Sequence, residues 1–286
     1  MGLPTHFRPR VYLFRRSMAL LAVFTRDRLL DLRVSEVLKA RHTLAQSHSW
    51  NGLTRVVRER PVMGAVVDLA ALSPHPSPEG LLFSLRSLYP HLGLVLLVRE
   101  HRDPFKLFQL GRVGIRNLVL LSAEDLHTEF PKVWARAEEG TATSLVTRFL
   151  SPYLPRRELR MAYQAMDSVY RRWSAEDLAG EVGLTRPYIS ERLKTFGLPS
   201  LGHFLVWAKL FHAGRWLEEP GRTGESVGRQ LEYSSGAAFR RALKHYTGAT
   251  PTQVREGGGL KLVLRQFLLR TGLPGAGPGP RAVWAN

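Results

Sequence analysis

Between residues 19 and 137 short apolar runs alternate with amphipathic stretches. The runs at 19–24, 43–47, 64–69, 92–98 and 117–121 are rich in Val and Leu and lack a polar alternation. That is the pattern of strands covered on both faces, as in a parallel sheet. Stretches at 27–40, 51–59, 78–89, 104–112 and 124–137 lie between or after them with apolar residues at helical spacing. Repeated strand–helix alternation predicts a doubly wound α/β domain of about five strands. The segment 73–78 is read as a loop, because Pro74, Pro76 and Pro78 suit neither strand nor helix.

From 158 to 255 the strand signal stops and helical spacing dominates. The expected organisation is a disordered leader over 1–17, the α/β domain over 18–140, a linker over 141–157, an all-α domain over 158–256 and a disordered tail over 257–286. Pro152 and Pro155 mark the linker. Gly257-Gly258-Gly259 opens the tail, ahead of a basic amphipathic stretch at 260–270 and a Gly/Pro-rich end. Arg15-Arg16 before the apolar run 18–24 mimics a signal peptide. The run is short, however, and Thr25-Arg26-Asp27 follows where small residues should sit for cleavage. Met18 is an alternative start.

Within the helical half one local pattern occurs twice. Ser174 can cap a short helix, with Asp177 three residues on completing a capping-box-like pair and Leu178, Ala179 and Val182 as its buried stripe. Gly183 supplies the turn, since positive φ costs it little. Thr185 then caps a second helix over 186–194, where Pro187 fits the first turn. Ile189 and Leu193 must face its core, leaving Tyr188, Ser190, Glu191 and Lys194 mostly outward. The second copy is a helix at 225–231, a turn at 232–235 and a helix at 236–246 with Phe239 and Leu243 inward. Helix, tight turn and capped helix with a polar face is the helix-turn-helix signature. The stretch 201–217 between the copies reads as one helix of about 25 Å. A rod of that length can set two reading helices about 34 Å apart, one turn of DNA.

Residues 158–255 resemble the DNA-binding domain of the AraC/XylS family of transcription regulators. The resemblance is carried by Tyr233, Ser234, Phe239, the pair Arg240-Arg241, Lys244, Gly248, Pro251 and Arg255, in family order and spacing. Leu178-Ala179, Gly183, Gly197-Leu198-Pro199 and Leu210 fit the first half. Glu232 departs from the pattern where the family usually has Gly, and Ala237 where it has a polar residue. Pro187 and Glu191 stand where larger or basic base-contacting side chains are frequent. The resemblance implies that Arg186, Tyr188, Ser190, Glu191 and Lys194 face one major groove and that Gly236, Arg240, Arg241 and Lys244 face the next. Arginine can hold guanine O6 and N7 together, glutamate can accept from cytosine N4, and lysine more often holds phosphate. For any one of these residues a solvated surface charge is the competing reading.

Charge agrees with this without locating it. The chain has 41 Lys+Arg against 24 Asp+Glu, net +17, and 20 of the basic residues lie in 151–286 against 11 acidic. Such an excess favours a polyanionic partner, although Arg-rich genome usage also produces it. The absence of cysteine excludes disulfides, thiolate metal sites and cysteine nucleophiles, and is compatible with a reducing, cytoplasmic setting. No apolar run reaches the length of a membrane span.

The α/β half weakly resembles a response-regulator receiver domain, a flavodoxin-like fold. Asp68, closing the third strand, lies where such domains carry their phosphoacceptor. The acidic pair expected after strand one is replaced by Val23-Phe24-Thr25, with only Asp27 nearby. Arg99 replaces the hydroxyl after strand four, and Ser122 the lysine after strand five. The expectation is a receiver-like fold with a vestigial Asp68. Its competitors are a phosphorylation-controlled regulator that uses Asp68, and a plain strand-end or capping carboxylate. Such a domain senses a ligand, binds a partner or dimerises; paired half-sites favour a homodimer. RNA polymerase is a further expected partner beside double-stranded DNA. No His pair at helical metal spacing, Gly-x-Ser-x-Gly elbow, Walker loop or Gly-x-Gly-x-x-Gly appears, so neither a metal, a cofactor nor a catalytic group is expected, with an enzyme in the first domain as a rival of a different class. A non-specific nucleic-acid-binding protein is the rival that charge alone would support.

Overall fold

Five of the apolar runs form five parallel strands: β1 (Leu20–Phe24), β2 (Thr43–Ser47), β3 (Gly64–Asp68), β4 (Gly93–Val98) and β5 (Leu118–Leu120). The structure is a computed structural model that describes residues 20–39, 42–99, 104–112, 114–121, 125–271 and 273. The expected leader, Met18, Ser122 and the tail 274–286 lie outside the described residues. Strand order is β2-β1-β3-β4-β5, with Val23 level with both Gln46 and Val66. The helices are α1 (Arg28–Lys39), α2 (Trp50–Glu59), α3 (Pro78–Leu88), α4 (Pro104–Arg112) and α5 (Asp125–Ala137). This is the expected doubly wound, receiver-like α/β arrangement.

Side chains of β1 divide between two layers because successive residues of a strand point to opposite faces. Leu21 and Val23 pack with Leu30, Val34 and Leu38 of α1 and with Phe130, Val133 and Trp134 of α5. Leu20, Ala22 and Phe24 pack with Leu53 and Val57 of α2, Leu82 and Leu85 of α3 and Leu110 of α4. The three central strands β1, β3 and β4 are buried throughout, so they need no polar alternation and read as continuous apolar runs, whereas the edge strand β2 exposes Thr43 and Gln46.

The α1/α5 layer continues directly into the helical half. The expected linker 141–157 is instead occupied by α6 (Ala142–Leu150), capped by Thr141, whose side chain accepts from Ser144 N–H. Val146 and Leu150, four apart on one face, are fully buried in the same core as Phe130 and Trp134. Pro152 and Pro155 only bracket the turn into α7 (Arg156–Arg171). The remaining helices are α8 (Ala175–Glu181), α9 (Arg186–Thr195), α10 (Leu201–Leu217), α11 (Gly224–Gln230), α12 (Gly236–Thr247), α13 (Pro251–Glu256) and α14 (Leu260–Arg270). The expectation of a disordered tail from 257 therefore fails at its start. In α14, Leu260, Val263 and Phe267 form a buried stripe, and the Phe267 ring meets Phe204, Trp207 and Phe211 of α10 at 5.1–6.2 Å between centroids.

Polar groups also join the halves. The carbonyls that end a helix lack intrahelical partners, and the end of α2 finds them in the helical half. Arg222 donates to Arg58 O at 3.2 Å and to Gln230 Oε1 at 2.9 Å, and pairs with Glu219 at 2.7 Å. Gln230 in turn donates to Arg60 O. Nearby, His91 Nε2 lies 3.0 Å from Glu218 Oε2.

Candidate nucleic-acid interface

Two helix pairs, α8/α9 and α11/α12, each place a short support helix against a second helix with an exposed outer face. In the first pair Ser174 and Asp177 form the reciprocal capping box, and Gly183 takes φ +66° at the turn. Thr185 caps α9 by accepting from Tyr188 N–H, with Pro187 in its first turn. In the second pair Thr223 caps α11, Ser235 caps α12 by accepting from Ala238 N–H, and Gly248 ends α12 at φ +73°. Each cap satisfies N–H groups that a helix start leaves without partners, so α9 and α12 start at defined residues.

Inward positions are fixed by helical spacing. Ile189 and Leu193 of α9 and Phe239 and Leu243 of α12 are buried. Both pairs are braced by α10, where Phe204, Trp207, Leu210, Phe211 and Leu217 are fully buried. This helix is thus a core element as well as the expected rod. Gly228 of α11 is one reason α12 packs so closely: an added Cβ there would lie 2.8 Å from the Phe239 Cβ.

The outer face of α12 carries Arg240, Arg241 and Lys244, all exposed. None of these three side chains has a hydrogen-bond or ion-pair partner among the described residues. On α9, Glu191 and Lys194 are exposed and pair with one another at 3.1 Å. Arg186 is exposed and pairs with Glu176 at 2.6 Å. Tyr188 is 41% exposed, with the Arg157 guanidinium 5.7 Å from its ring centre.

Two of the expected contact residues do other work. Ser190 is half-buried and its Oγ accepts from Leu201 N–H at 3.2 Å, tying α9 to the start of α10. Gly236 is buried, and a Cβ on it would fall 1.7 Å from a Glu225 carboxylate oxygen. Its lack of a side chain makes room for Glu225; it presents nothing outward.

One anchor of the interface was not singled out from sequence. Glu158 of α7, 1% exposed, accepts from Arg192 Nε at 3.1 Å. That hydrogen bond, with the attraction of the carboxylate, holds the guanidinium above its ordinary pKa. Arg192 also lies over the Phe196 ring at 5.4 Å. The spacing Ile189, Arg192, Leu193, Phe196 is the inward stripe of α9, so the helical period already puts Arg192 beside the core.

Asp68 sits at the carboxyl end of the sheet, buried to 1%. One oxygen accepts from Thr25 Oγ1 at 3.0 Å and the other from Ala70 N–H at 3.0 Å, capping the 3₁₀ turn Leu69–Leu72. Arg99 donates to the Asp27 carboxylate, and its Nη2 lies 3.9 Å from Asp68 Oδ2. Asp27 is held below its ordinary pKa by the Leu30 N–H it accepts, and then by Arg99. A guanidinium therefore stands between the two carboxylates.

A family described as "Helix-turn-helix domain" matches residues 178–257, from within α8 to the end of α13. No curated protein matches the chain in sequence. Among solved structures, the chain is similar to NtrX from Brucella abortus at 14% identity and TM-score 0.37, over 52% of this chain and 33% of that one. It thus spans about a third of the length of NtrX. It is similar to the Salmonella typhimurium response regulator RcsB at 13% identity and TM-score 0.38, over 66% and 98% of the two chains. It is also similar to the xylose-binding transcription activator XylR at 13% identity and TM-score 0.34, over 86% and 71%.

Proposed function

We propose, from the premise that residues 178–257 form a helix-turn-helix domain of the AraC/XylS type, that this protein is a transcription regulator reading double-stranded DNA through α9 and α12 in successive major grooves. The observation that carries this reading is the stripe Arg240, Arg241 and Lys244, outward and unpaired among the described residues on the second helix of the second unit. A charged row that makes no internal contacts is free to meet bases and phosphates, and arginine is the side chain best matched to guanine. On α9, Glu191 and Lys194 occupy the equivalent outward row; Arg186 and Tyr188 flank it. Ser190 and Gly236 act from behind, by placing the helices.

Lys244 and Lys194 hold the backbone and set register, while Arg240, Arg241 and Glu191 discriminate between bases. The receiver-like half modulates this reading as a homodimer, with RNA polymerase as a second protein partner, in a cytoplasmic setting. No helix among the described residues is long and apolar enough to cross a membrane. Selection of the full chain against random duplexes tests the proposal: it predicts an enriched motif. Salt-sensitive binding with no sequence enriched would instead mark a non-specific nucleic-acid binder.

A further inference from the structure

The end of the sheet opposite Asp68 meets the end of α7 around a cleft of about 410 Å³. Leu20, Thr43, Arg60 and Pro61, at or just before the starts of β1, β2 and β3, form one wall; Tyr170, Arg171, Arg172 and Trp173 form the other. Its volume falls in the range of small-molecule sites, about 300–1,000 Å³, and junctions between domains are where such sites concentrate. Among the described residues three guanidinium groups line it and no carboxylate does.

The three arginines differ in what already holds them. Arg60 is exposed, and its side chain has no partner among the described residues. Arg171 lies over the Trp173 ring at 4.2 Å, pairs with Asp167 at 3.2 Å and reaches Glu181 of α8 at 4.0 Å. Arg172 ends α7 at φ +61°, a left-handed conformation that glycine usually supplies. It pairs at 2.8 Å with Glu232, which itself has φ +60° in the turn between α11 and α12. The left-handed region costs a non-glycine residue about 1–2 kcal/mol. Two such residues joined to each other are therefore a costly way to make a surface ion pair, and outliers of this kind concentrate at functional sites. Glu181 and Glu232 belong to the first and second helix-turn-helix units respectively.

We infer that this cleft binds a small organic anion, a carboxylate on a flat apolar body, and that the anion acts as an effector by competing with Glu181 and Glu232 for Arg171 and Arg172. Guanidinium groups match a carboxylate in shape and charge, the half-buried Trp173 indole offers apolar surface to the body, and Arg60 supplies a cation with no internal partner among the described residues. Both helix pairs are tied to the cleft through the same two arginines, so occupancy reaches both. The effector role rests on the DNA-reading proposal; the binding itself does not.

The test is calorimetric titration of the full chain, without DNA, using 2-naphthoate, the neutral 2-naphthamide and inorganic phosphate. Saturable binding of 2-naphthoate is expected, with the amide and phosphate each weaker by about tenfold or more. Arg60→Ala and Trp173→Leu, checked for unchanged folding by circular dichroism, should each weaken 2-naphthoate by about tenfold. Absence of 2-naphthoate binding overturns the inference. So does equal binding of the amide or of phosphate, or wild-type affinity in both variants. Because no DNA is present, these results stand or fall independently of the selection experiment. Once a DNA site is known, a change in its affinity on adding 2-naphthoate, lost in Arg60→Ala, supports the effector role; no change overturns that part.

Discussion

Replacing Arg241 with alanine separates reading DNA from holding the fold. The side chain is exposed and has no partner among the described residues, so truncation removes no internal hydrogen bond or ion pair. Substitutions of that kind change stability by less than about 0.5 kcal/mol. A bidentate arginine–guanine contact discriminates against the wrong base by about 1–3 kcal/mol. At about 1.4 kcal/mol per factor of ten, the best duplex should lose about 5- to 150-fold in affinity. Single-base variants at the position Arg241 reads should lose far less, so the preference there flattens while other positions keep theirs. Fluorescence anisotropy on the selected duplex and its single-base variants measures this, with thermal melts of both proteins alongside. Equal weakening on every duplex, with the slope of log affinity against log salt reduced by about 0.9, would make Arg241 a phosphate contact only. A large fall in melting temperature would refute the structural premise that the side chain makes no internal hydrogen bond or ion pair.

Three further outcomes follow from groups away from the reading face. Arg222→Met leaves the Glu219 carboxylate buried at 5% exposure without its partner, which should cost about 3 kcal/mol by urea unfolding. Adding Glu219→Met should recover the part due to the stranded carboxylate but not the bonds from Arg222 to Arg58 O and Gln230, and no recovery would contradict the pairing. Burial pushes Glu138 from the ordinary 4.5 up to about 7, helped by the nearby Asp167 and opposed by the neighbouring Trp134. Its contribution is therefore full below pH 4.5 and is lost as pH rises through about 7. His212 works the other way: burial pushes it from 6.5 down to about 4, so its contribution is full above pH 6.5 and is lost as pH falls toward 4. The two oppose each other, and Glu138→Gln should make stability fall more steeply from pH 7 to 4.5, by up to about 3 kcal/mol, with parallel curves contradicting this. Finally, acetyl phosphate with Mg²⁺ should leave no phosphoryl adduct on Asp68 by intact mass, because Arg99 stands between the Asp27 and Asp68 carboxylates. An adduct that Asp68→Asn abolishes would restore the phosphorylation-controlled alternative.

Local features proved legible and remote ones did not. The strands announced themselves because both faces of the sheet are covered, which demands unbroken apolar runs such as 93–98. The helix-turn-helix units were legible because caps and turns are local chemistry: Ser174, Gly183, Thr185 and Gly248 all hold the places their residue types favour. Asp68 could be placed at a strand end, yet only the structure shows Thr25 and Arg99 converging on it. The boundary and the tail misled for a common reason. Pro152, Pro155 and Gly257-Gly258-Gly259 are strong breakers, and they outweighed the apolar stripes of Val146 and Leu150 and of Leu260, Val263 and Phe267. Ser190 and Gly236 lie on helices with outward faces, but their contacts come from Leu201 and Glu225, which the period of a single helix does not specify. The bond from Arg222 to Arg58 O spans 164 positions, beyond any local pattern.

The most direct measurement is a hydroxyl-radical footprint on the selected duplex, combined with a series that inserts base pairs between the two halves of its motif. Two protected segments on one face of the helix, about 10 base pairs apart, are expected, with affinity lost on inserting about 5 base pairs and partly regained at about 10. A single protected segment, or affinity indifferent to the spacing, would contradict the joint entry of α9 and α12 into neighbouring grooves.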